Sequence, residues 1–81
     1  MSKFTTLVDQ LYARIDNGSG VYYVYSSTNS GFIGMTHMKP IKDRSFIEQF
    51  DLKLLGVYSP GIARSEFMAD ICYACTIRRS A

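Results

Sequence analysis

Residues 20–36 read Gly-Val-Tyr-Tyr-Val-Tyr-Ser-Ser-Thr-Asn-Ser-Gly-Phe-Ile-Gly-Met-Thr, and this stretch decides the fold. Val21 to Tyr25 is β-branched and aromatic, a composition that suits a pleated, half-buried surface. Ser26 to Gly31 is made of turn formers. Phe32 to Thr36 resumes the apolar pattern, with Gly34 inside it as a candidate bulge or close backbone approach. A β-hairpin follows, and Tyr22, Tyr23, Tyr25 and Phe32 are candidate cross-strand neighbours within it.

Upstream of the hairpin, Phe4, Leu7, Val8, Leu11, Tyr12 and Ile15 recur at helical steps. They predict an amphipathic helix over 3–16, opened by Ser2 or Thr5 and closed by Asn17-Gly18 and Ser19-Gly20. Downstream, His37 to Pro40 reads as a loop. Asp43 is placed to cap a short helix over 44–50, with Phe46, Ile47 and Phe50 as its buried side. Leu52 to Tyr58 reads as a third strand, stopped by Ser59-Pro60-Gly61. Residues 67–78 fit two patterns. As a strand, Ile71, Tyr73, Cys75 and Ile77 alternate with smaller or polar residues. As a helix, Phe67, Met68, Ile71, Ala74 and Cys75 share one face, and Ser65, Glu66, Asp70, Tyr73 and Thr76 the other. Length and the sustained period over 62–78 favour the helix. The expected class is α+β: a small, mainly antiparallel three-stranded sheet with packed helices, in the order α-β-β-α-β-α.

The 81 residues make one domain, 1–81, with the helix of 1–18 preceding a core of 20–81. A core this small contributes about 3–5 kcal/mol net. Hydrophobic content of 47% and charged content of 20% belong to a folded domain rather than a disordered tail. Six Tyr and five Phe exceed what so small a core can hold, so some aromatics are expected at the surface. A net charge of +2 is too weak to argue nucleic-acid binding, and it has the wrong sign for an acidic DNA mimic. No apolar run reaches the roughly 18 residues of a membrane span, and the first ten residues lack an apolar signal core. A cytoplasmic protein is expected. Cys72 and Cys75 form a C-x-x-C late in an apolar segment, away from the helix start that activates a redox thiolate. With His37 they number one ligand short of a zinc site, unless a dimer pools two pairs. Reduced, packed thiols are the simpler expectation.

Gly20-Val21-Tyr22 and Phe32-Ile33-Gly34, separated by residues 23–31, resemble the two motif strands that open the GIY-YIG nuclease domain. That family carries a small sheet, a helix with an arginine, a further strand and a helix with a metal-binding glutamate, and it cleaves DNA phosphodiesters with a divalent ion. The resemblance covers about 60 residues. It places Tyr22 on the first motif tyrosine, as a group that holds or polarises water. It places Arg44 near the phosphate-stabilising arginine, and Glu66 near the glutamate that holds Mg²⁺. Asp70, one turn along, is a possible second carboxylate. The chain departs from the pattern at Phe32, which lacks the tyrosine hydroxyl, and at Glu48, where many members carry histidine. No asparagine follows Asn29, although the family often uses one late in the domain.

Three functions compete. The first is a small non-catalytic interaction protein without a cofactor, monomeric or homodimeric, with hairpin tyrosines as anchors. By size and style it suits a phage or mobile-element accessory protein that binds and inhibits a host nucleic-acid-processing or defence component. The second is a minimal Mg²⁺-dependent endonuclease built on Tyr22, Arg44 and Glu66. The third is a nucleic-acid-binding module in which Tyr23, Tyr25, His37, Lys39, Lys42 and Arg44 form one basic-aromatic surface, with Arg78 and Arg79 as a second basic cluster. Cooperating catalytic groups act as a unit, so the departures at Phe32 and beyond Asn29 favour a protein-binding role.

Overall fold

A computed structural model describes the backbone of residues 3–80 and the side chains of 5–74. The elements are α1 (Lys3–Asp16), β1 (Tyr22–Ser27), β2 (Ile33–His37), α2 (Arg44–Phe50), β3 (Leu52–Tyr58) and α3 (Arg64–Ser80). The order is therefore the expected α-β-β-α-β-α. The sheet runs β2-β1-β3, and both pairings are antiparallel, so β1 is central.

The hairpin register pairs Tyr22 with His37, Tyr23 with Thr36, Val24 with Met35 and Tyr25 with Gly34. The hairpin aromatics do not face one another, contrary to the cross-strand expectation. β1 extends through Ser27, two residues beyond the expected end. Ser27 N–H donates to Phe32 O and its hydroxyl donates to Phe50 O, so the pair of serines is held as strand rather than turn. β2 reaches His37, which the sequence pattern assigned to a loop. Gly34 sits in plain register and is not a bulge. The irregularity lies across β1 instead, where the β3 partners step from Gly56 to Leu54 between Val24 and Tyr25. Leu55 is the extra residue.

Residues two apart in a strand share a face. Tyr22, Val24 and Tyr58 point at the helices and join Val8, Leu11 and Ile15 of α1 and Phe67 and Ile71 of α3 in the core. Val8, Ile15, Val24, Phe67 and Ile71 are wholly excluded from solvent. Leu7 and Tyr12 are half-buried beside Val8, Leu11 and Ile15, so this stripe faces the core as its spacing requires; the Phe4 side chain lies outside the described residues. α3 is a helix, and the strand pattern of 71–77 is not used; Phe67 and Ile71 are buried while Ala69 and Tyr73, which a strand would put on the same face, are exposed. Tyr12 ties the two helices, donating its hydroxyl to Ile62 O at 2.8 Å and resting on the Phe67 ring. Arg64 and Asp9 bridge them at the surface.

α1 ends with Asn17 N–H donating to Ala13 O and Gly18 N–H to Ile15 O. The positive φ falls on Gly20 (78°), not on Asn17 or Gly18. Gly18 serves a different need. A Cβ there would collide with the Tyr22 hydroxyl, so its glycine admits the ring beneath the helix end. Thr5 lies inside α1 rather than at its cap, and Ser2 is outside the described residues.

α2 begins as expected, with Asp43 accepting from Phe46 N–H. Its buried side is corrected. No α2 residue is fully buried, Phe46 is 41% exposed, and Ile47 and Phe50 are half-covered. The helix is only seven residues long. It is held by the hairpin turn more than by a core: Asn29 Nδ2 donates to Gln49 O, and Thr28 N–H to Asp51 O. Asp51 closes it in the left-handed region, φ 47°.

Candidate functional site

The sequence-derived candidates do not gather into one site. Tyr22 is buried in the helix-facing core, stacked on His37 with ring centroids 4.5 Å apart. His37 Nε2 lies 2.5 Å from Ser19 O; a carbonyl only accepts, so the proton sits on Nε2. The histidine clamps the α1–β1 connection. Glu66 is exposed in the first turn of α3. Arg44 is exposed at the start of α2. Among the described residues no hydrogen bond or ion pair joins Tyr22, Arg44 and Glu66. Lys39, Lys42 and Arg44 are all exposed on the 38–44 segment. Tyr25 is buried and anchors that segment, accepting from Ile41 N–H at 2.9 Å, so it offers no stacking face. Tyr23 is half-exposed. Cys72 is exposed and well inside α3, not at a helix start; the Cys75, Arg78 and Arg79 side chains lie outside the described residues.

The sheet's second face holds the larger signal. Tyr25 and Leu52 are buried there, outside the main core cluster, under the 38–44 segment and α2. The cover stops short of the rest. Tyr23 pairs with Thr36 on one side and Val57 on the other. Val57 is 48% exposed and Leu54 is 52% exposed. Phe32 and Phe46 border the region, both partly stripped of cover, and each ring meets Phe50. An antiparallel sheet with one wet face normally places polar residues on it. Here that half-face is aliphatic and aromatic.

A second feature lies where β3 meets α3. Leu55, Gly56, Val57, Tyr58, Asp70, Tyr73 and Ala74 line an open groove of about 370 Å³. Gly56 shapes it: the Tyr58 ring folds back over the position a Cβ would occupy. The Tyr58 ring meets Phe67 edge-on at 4.9 Å, and Asp70 lines the groove beside it. Burial, then the Asp70 and Glu66 charges, raise the Tyr58 phenol above its ordinary pKa. Tyr73, 69% exposed, stands on the groove's rim.

Leu54, Val57, Tyr58 and Tyr73 are the residues that sequence reading missed. Gly56-x-Tyr58 carried a local hint, a glycine two residues before an aromatic on the same strand face. The open half-face carried none, because it depends on β3 pairing with β1 rather than β2.

No helix among the described residues is long and apolar enough to cross a membrane, and no group of three or more His, Cys, Asp or Glu gathers among them. Comparison with family models, curated proteins and solved structures finds no match.

Proposed function

We propose that this chain is a small non-catalytic interaction protein that docks a protein partner on the open half-face of its sheet. The observation that carries the reading is the exposure of Leu54 and Val57 beside Tyr23, where a solvated sheet face would be polar. The buried position of Tyr22 supports it over the nuclease alternative. A hydroxyl packed beneath Gly18 is poorly placed to hold water for a phosphodiester. Lys39, Lys42 and Arg44 share one exposed segment, but with Tyr25 buried and His37 stacked on Tyr22 they lend little to a base-stacking surface. By size and style the chain suits a phage or mobile-element accessory protein that inhibits a host nucleic-acid-processing or defence component. The test is affinity capture from host cells with wild type and Leu54→Glu. A stoichiometric partner lost in the variant, with the fold retained, is expected. Plasmid nicking in Mg²⁺ or Mn²⁺ that disappears in Glu66→Gln would establish the nuclease instead.

A further inference from the structure

β3 has β1 on one side and, among the described residues, no strand on the other. In an antiparallel ladder alternate residues turn their N–H and C=O outward, so this edge can take another strand. The edge is seven residues long and apolar, and proteins usually blunt such an edge. Lys53 is the one charge on β3. The other edge strand, β2, is only five residues long and lies beside Lys39 and Lys42.

The β3 edge opens into the groove against α3. Its floor is Leu55, Gly56 and Ala74, and its α3 wall carries Asp70. Glu66 lies one turn earlier on the same helix. Arg64, the basic residue nearest them in sequence, is already paired with Asp9. The groove therefore offers a strand edge, an apolar floor and a negative wall.

We infer that the β3–α3 groove binds an extended basic peptide segment of a protein partner as a fourth strand, with an apolar side chain over Leu55 and Ala74 and a Lys or Arg beside Asp70. Such strand addition draws affinity from main-chain hydrogen bonds and specificity from alternate side chains. It rests on the interaction reading above but uses the outer edge of β3, meeting the open half-face only at Val57.

The test uses the full chain, ¹⁵N-labelled, with the peptide acetyl-Lys-Val-Lys-Val-Lys-Val-amide. The amides of 53–57 are expected to shift and to exchange more slowly. The same peptide N-methylated at alternate residues should not bind, because it cannot complete the ladder. Asp70→Asn should weaken binding about threefold at low salt, with the difference lost at high salt. Tyr23→Thr, on the central strand and off the β3 edge, should leave peptide binding in place, so failure of the groove and failure of the sheet-face interface read out separately. Shifts confined to other strands, equal binding of the Glu-for-Lys peptide, binding by the N-methylated peptide, or a concentration-dependent dimer through β3 would each overturn the inference, the last in favour of a second copy of this chain.

Discussion

Tyr58 and Gly56 act as one unit at the edge of the sheet. The phenol ring lies across the glycine, in the groove that Asp70 also lines. Gly56→Ala places a methyl against that ring; the expected cost is about 1–3 kcal/mol, read by urea unfolding. The cost should shrink when Tyr58 is first replaced by Leu, since two residues in contact couple. The phenol's raised pKa gives a pH signature. A raised folded pKa means that, above the unfolded value near 10, the native state holds a proton the unfolded chain has released. Its contribution is complete below the unfolded pKa and is lost as pH rises through the folded one. Wild type should therefore lose more stability than Tyr58→Phe between about pH 9.5 and 11. Equal losses would remove Tyr58 as the cause. Tyr22 teaches the opposite lesson about sequence reading. Its place in the motif was legible, but the stacking of His37 on it comes from the hairpin register, and the seat under Gly18 from the way the chain turns between α1 and β1.

The elements were legible where the signal is local. α1 followed from a stripe of apolar residues, the start of α2 from Asp43, and β3 from a β-forming run between a helix and Ser59-Pro60-Gly61. α3 needed tertiary information to confirm it, because 67–78 also alternates like a strand. The error at α2 has a physical reason: a seven-residue helix presents few side chains, and its end is fixed by polar contacts to the hairpin turn. Asp51 should show this in stability. Val there must enter the left-handed region, at an expected cost of about 1–2 kcal/mol, whereas Gly should be close to neutral. Thermal unfolding of the two variants distinguishes them. Phe67→Ala, by contrast, empties a wholly buried site shared by α1, β3 and α3. The expected loss is about 3–5 kcal/mol, enough to exhaust a core this small.

At the scale of the molecule, one face of the sheet is filled and the other is finished only in part. α1 and α3 fill the first. α2 and the 38–44 segment cover Tyr25 and Leu52 on the second, and leave Leu54 and Val57 exposed and Tyr23 half-covered. The sequence announced a surplus of aromatic residues but not where it emerges, because the sheet order β2-β1-β3 sets which residues become neighbours. The most direct test of the interface is site-specific photocrosslinking in host cells. A benzophenone side chain at Leu54 or Val57 is expected to give one discrete adduct, and the same group at exposed Arg14 on α1 none. Equal, diffuse labelling from all three positions would contradict a partner docked on the open half-face.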